Sequence, residues 1–135
     1  IMLEAEDSKS AEGKEAGLPQ PPPSKKGVAR LIAATRYSAA GLRAAFISEE
    51  AIRMEVAAFL VMAPLGLWLG QGAVEKVLLV GSLVLVIVVE LLNTGIEKVV
   101  DRFGGEFHEL SRFAKDTGSA AVMIAMALVL FVWGM

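Results

Sequence analysis

The sequence has no cysteine and a single histidine, His108. That excludes a disulfide framework, a thiolate metal site and a cysteine nucleophile, and it leaves little nitrogen for a zinc centre. Neither GxxxxGK[ST] nor GxGxxG occurs, so the common soluble phosphate cradles are missing as well. Gly104-Gly105 reads as a turn between helices rather than a phosphate loop. Residues 1–27 lack the apolar core of a signal peptide, and no cleavage site follows. What the chain has in quantity is apolar surface: 55% of its 135 residues are hydrophobic, and the mean hydropathy is +0.58. This is too apolar for a soluble domain and too short for two domains, and it points to a small all-α integral membrane protein.

Residues 1–27 are rich in charge, Ser and Gly, with Pro19 and the Pro21-Pro22-Pro23 cluster, and are expected to be a disordered acidic tail. The sequence opens on Ile1, and the start residue is expected at Met2 or upstream. A membrane-embedded domain is expected over 28–135. It begins with an amphipathic surface helix from Val28 to about Ser48, with Val28, Leu31, Leu42 and Phe46 on one face and Arg30, Arg36, Tyr37 and Arg43 on its flanks. Composition fits a plain anchor for this helix as well as it fits contact with anionic headgroups or phosphates.

Three spans follow, at about 51–69, 74–99 and 117–135, each near the ~20 residues that cross a bilayer core. Pro64 is tolerated inside the first, and Trp68 and Trp133 suit the interface. Lysines and arginines crowd the segment before the first span and the connection between the last two, whereas the other connection has only Lys76. The N-terminus and the 101–115 connection are therefore expected in the cytoplasm, with the C-terminus outside. Small residues, Gly81 and Ser82 in the second span and Gly118 to Ala127 in the third, permit close helix packing, and an oligomer is expected.

The most informative stretch is 88–116. Glu90, Asn93, Glu97 and Asp101 enter an apolar run without a Gly-Pro break, and at ~100° per residue their spacing places all four on one helix face. Glu97 and Asp101 alone would also suit a solvated helix end. Glu90 is flanked by Val84 to Val89 and by Leu91-Leu92, and an ionisable group at such depth costs roughly 2.5 kcal/mol or more on insertion scales, which points to function. Four or five carboxylates, an amide, several arginines and Lys115 next to Asp116 gather on one expected side of the membrane. Hard oxygen donors favour magnesium over zinc, and magnesium suggests phosphate. Phosphoryl transfer uses such a set, with Glu90 placed to accept the proton of a hydroxyl held in lipid. His108 on its own reads as a surface or hydrogen-bonding histidine before a catalytic one.

The strings VELLNTGIEKVVDRFGGEFHELSRFAKDTGSAAV, ATRYSAAGLRAAF and EEAIRME closely resemble the prokaryotic diacylglycerol kinases, over about residues 28–135. The resemblance implies ATP-dependent phosphorylation of diacylglycerol to phosphatidic acid in the bacterial inner membrane, by a homotrimeric helical bundle of three transmembrane helices and a surface helix per subunit, with composite sites at subunit boundaries. Nucleic acid has no part in it. On matching positions, Glu90 is similar to the general base, supported by Asn93, and Glu49 and Glu97 to the Mg2+ ligands. Arg30, Tyr37, Glu49, Glu97, Glu106, Phe107, His108, Lys115 and Asp116 resemble contacts to ATP. Arg30, Arg43, Trp68, Glu90, Ser119 and Trp133 resemble lipid-substrate positions. Arg112-Phe113 departs from the usual pair before AKD, and Gly95 stands where alanine is customary, at a cost to the helix of ~1 kcal/mol. Related enzymes phosphorylate undecaprenol, and the EFHEL string with Glu109 leans toward diacylglycerol. A cation-conducting oligomer lined by Glu90, Asn93 and Glu97 is the alternative from another class. It leaves Glu49, Lys115-Asp116 and the arginine-flanked helix unexplained.

Overall fold

The computed structural model describes residues 26–103 and 108–135. The described residues contain four α-helices and no strand: α1 Val28–Ser48, α2 Glu50–Leu69, α3 Ala73–Asp101 and α4 Glu109–Gly134. The acidic tail up to residue 25, the turn expected at Gly104-Gly105 and the candidate residues Glu106 and Phe107 lie outside the described residues. The chain divides into two units, 1–37 and 38–135. In the first, α1 starts from Gly27 at φ +64, whose carbonyl accepts the Leu31 N–H at 3.2 Å, and Val28, Leu31 and Tyr37 are exposed. The second contains the rest of α1 and all of α2, α3 and α4.

Helices α2, α3 and α4 are each long and apolar enough to cross a membrane. The runs that build them contain few residues able to stop a helix, and the one internal proline, Pro64, stays within α2. Its missing N–H leaves one carbonyl of the preceding turn without a helical donor, a modest cost inside a packed bundle. Helix α3 is central and packs against both α2 and α4. Its buried residues are Ser82, Leu83, Val86, Glu90, Asn93 and Thr94, which recur at helical spacing along one face. Against them α4 buries Gly118 and Ala125, two turns apart, and α2 contributes Ile52, Ala63 and Gly66. The small residues let backbones approach, as helix contacts in lipid require. Most of the large apolar side chains, among them Leu60, Val61, Leu130 and Phe131, point outward, where lipid tails or further copies of the chain would cover them.

Two joints fix the helix order. At Glu49 the backbone is extended (φ −116, ψ 115), which breaks α1 from α2 by a single residue. Arg53 Nη1 then donates to the carbonyls of Phe46 (2.9 Å) and Ile47 (2.7 Å), so a cation satisfies the open end of α1. At the other joint Gly72 has φ +118, a conformation that a residue with a Cβ adopts only under strain. Its neighbour Gln71 donates its backbone N–H to the Glu75 carboxylate at 2.7 Å.

The spans agree with the hydropathy reading except at one boundary. Helix α4 begins at Glu109, eight residues before the expected start at 117. The reason is a cap: His108 is extended, and its Nδ1 accepts the Leu110 N–H at 3.0 Å. Hydropathy finds where lipid begins. The helix itself starts where its first amides are satisfied.

Candidate active site

The site is the portion of α3 from Glu90 to Asp101, with the parts of α1, α2 and α4 that face it. Glu90 is only 9% exposed and Asn93 7%, so the polar stripe turns inward at its deep end. Asn93 Nδ2 donates to Glu97 Oε1 at 3.2 Å, one turn further on. Asn93 Oδ1 is buried with no hydrogen-bond partner among the described residues, and it points at Gly118 of α4, where an added Cβ would collide with it. Glycine at 118 is thus what admits the amide between the two helices. Glu97 and Glu49 lie close enough for their charges to act on Glu90.

Glu49 reaches this cluster because it is the elbow between α1 and α2 and because its side chain does not cap α2. Lys98 Nζ approaches Glu49 Oε1 at 3.3 Å. At the polar end, Lys115 of α4 pairs with Asp101 of α3 at 2.7 Å, which ties the two helices together beyond their apolar parts. Asp116 pairs within its own helix with Arg112 at 3.6 Å. The basic residue that departs from the usual pair before AKD therefore faces the acid of that same string.

The remaining candidate residues have surroundings of their own. Arg30 and Tyr37 belong to the first unit and are exposed there. Arg43 and Ser119 are exposed, and Trp68 is 79% exposed on the outer surface of α2. His108 is engaged as the cap of α4. Trp133 packs its ring against Gly66 and donates its indole N–H to the Leu79 carbonyl at 3.1 Å. Leu79 precedes Glu90 by eleven residues, about 16 Å along the helix. Only the tail of a long lipid held at Glu90 would reach Trp133.

Two residues of the site escaped the sequence reading. Glu55, on α2, brings its carboxyl against that of Glu90, and its Oε2 is buried with no hydrogen-bond partner among the described residues. Lys98 is the other, through its contact with Glu49. Glu55 had one signal, an ionisable residue just inside an apolar run, the same feature that singled out Glu90. Lys98 had none, since its partner lies on a different element.

A donor set composed of carboxylates and one orphaned amide oxygen suits a hard cation. Among the described residues no three His, Asp or Glu side chains converge closely enough to hold one by themselves. Magnesium does not need three, because it commonly takes one or two carboxylates and completes its shell with water and substrate phosphates.

Fold and site together define a helical membrane protein with an acidic centre sunk into its middle span. The sequence matches the family model described as prokaryotic diacylglycerol kinase over residues 36–135. It is 50% identical over 107 residues to the diacylglycerol kinase of Escherichia coli strain K12, covering 79% of this chain and 88% of that one. It is 47% identical over 108 residues to the diacylglycerol kinase of Haemophilus influenzae (80% and 92% covered), and 40% identical over 115 residues to that of Pseudomonas aeruginosa (85% and 94%). The chain belongs to the prokaryotic diacylglycerol kinase family.

Proposed function

We propose that the protein transfers the γ-phosphoryl group of ATP to the hydroxyl of diacylglycerol, giving phosphatidic acid and ADP, in the bacterial inner membrane with its N-terminus in the cytoplasm. The observation that carries this reading is Glu90, a carboxylate buried in an apolar helix with Glu55 against it and Asn93 and Glu97 on the turns that follow. A lipid hydroxyl at the membrane boundary meets Glu90 first, and charged nucleotide meets the polar end of α3. The stripe spans the distance between the two substrates.

In this mechanism the Glu90 carboxylate accepts the hydroxyl proton as the hydroxyl oxygen attacks the γ-phosphorus, and the bond from that phosphorus to the β–γ bridging oxygen breaks to release ADP. Asn93 holds Glu97 by its amide N–H, and Glu49 approaches from the elbow, so that these two carboxylates would hold Mg2+. When bound, Mg2+ neutralises the phosphate charge that develops in transfer. Lys115 and Asp116, with Arg30, Tyr37, Glu106, Phe107 and His108, are the proposed nucleotide contacts. Arg43, Trp68, Ser119 and Trp133 are proposed for the lipid. The outward apolar faces of α2 to α4 support a homotrimer, in which the sites are completed at subunit boundaries.

The test is transfer of labelled phosphate from magnesium ATP to diacylglycerol or to undecaprenol, offered separately in mixed micelles. Labelled phosphatidic acid is the expected product. Label on undecaprenol alone would move the protein to the sister activity, and label on neither lipid, together with a nucleotide-independent conductance, would favour an ion-conducting oligomer.

A further inference from the structure

Lys98 contributes nothing to the chemistry set out above, yet among the described residues it makes the one salt bridge to Glu49. Its ammonium lies 3.3 Å from Glu49 Oε1, with side-chain exposures of 60% for the lysine and 26% for the glutamate. Three features make this contact more than a solvated surface pair. Glu49 is at the elbow and does not use its carboxylate to cap α2, so the charge is free to face α3. Lys98 immediately follows Glu97, whose own carboxylate is engaged by Asn93. And Glu49 and Glu97 both lie close enough for their charges to act on Glu90, so the ammonium sits at one member of an acidic group.

We infer that Lys98 is an internal counter-cation for Glu49, which a divalent ion must displace or tolerate, and that it thereby sets the metal affinity of the site. The inference rests on the reading of Glu49 and Glu97 as metal ligands. A carboxylate oxygen that accepts from an ammonium has fewer lone pairs for a metal. Where the metal takes the second oxygen, a dication and an ammonium remain a few ångströms apart and repel. Both routes have the same sign: the lysine weakens metal binding and holds the acidic cluster together before metal arrives. A lysine suits this role because its flexible four-carbon stem lets the charge swing away without moving the helix.

The experiment titrates Mn2+ into the purified full chain in micelles, without nucleotide, and reads free Mn2+ by electron paramagnetic resonance. Lys98→Met is expected to bind Mn2+ about 2- to 5-fold more tightly, the range that an exposed ion pair sustains. Its unfolding midpoint should also rise more on Mg2+ addition than that of the parent. Lys98→Arg, which keeps the charge, should stay close to the parent, and Arg102→Met serves as a control for the loss of one positive charge. Unchanged or weaker Mn2+ binding in Lys98→Met would overturn the inference, as would equal tightening in Arg102→Met. Glu49→Gln separates the two levels. If it weakens Mn2+ binding while Lys98→Met has no effect, the metal site stands and the role of Lys98 falls; if it leaves binding unchanged, the metal reading itself fails.

Discussion

The two ends of α3 are built on opposite principles. Near Leu79 every feature closes a gap: Gly66 admits the Trp133 ring, the indole N–H has its carbonyl, and Gly72 makes the turn that a bulkier residue would strain. Near Glu90 the reverse holds. Asn93 Oδ1 and Glu55 Oε2 are buried without partners among the described residues, and carboxylates crowd one another across the helix contacts. Unsatisfied buried polar groups are destabilising, by about 1–3 kcal/mol each. One end is organised for stability, and the other retains buried polar groups that the proposed function would pair with substrates.

Substitutions at the two ends should therefore fail in different ways. The largest effect is expected at the polar end, where Glu90→Gln should reduce phosphate transfer by ~100-fold or more with nucleotide affinity largely intact, as measured by turnover and by equilibrium nucleotide binding. At the packed end, Gly66→Val forces a side chain into space where a Cβ already lies 3.2 Å from Leu79 Cβ and 3.3 Å from the Trp133 ring. It should cost about 1–3 kcal/mol of stability, seen as a lower unfolding midpoint in detergent. Trp133→Phe keeps an aromatic side chain but a smaller one, removing the N–H to Leu79 and part of the ring that packs on Gly66, with an expected loss of at least the hydrogen bond's about 0.5–1.5 kcal/mol in the same assay. The smallest effect is expected at Gly95, an exposed position within the polar end of α3. Nothing stands within 4 Å of a Cβ built on Gly95, so Gly95→Ala should stabilise α3 by about 0.4–1 kcal/mol.

The contrast also explains what was legible in the sequence. The inward turn of Glu90 and Asn93 follows from helical spacing and from the cost of an acid among valines and leucines, both properties of one continuous segment. The spans themselves were legible for the same reason, since lipid imposes length and apolarity locally. The start of α4 was not, because a histidine cap is outside the usual Ser, Thr, Asp and Asn signal and the polar turns 109–116 have no apolar period. Pairs between elements were least visible. Glu55 against Glu90, Lys98 with Glu49, Lys115 with Asp101 and Arg53 on the end of α1 each depend on how two helices approach, and only packing sets that. The role of Gly118 belongs with them: its place in a run of small residues suggested packing, but not that the Asn93 amide would fill the space.

The most direct test of this division puts Glu90→Gln and Gly66→Val through the same two assays, phosphate transfer per folded protein and unfolding midpoint. A crossed outcome is predicted: Glu90→Gln loses transfer and retains the midpoint, whereas Gly66→Val lowers the midpoint and retains transfer per folded molecule. Normal transfer by Glu90→Gln would contradict the account, because the buried carboxylate at the centre of the site would then be dispensable for the chemistry.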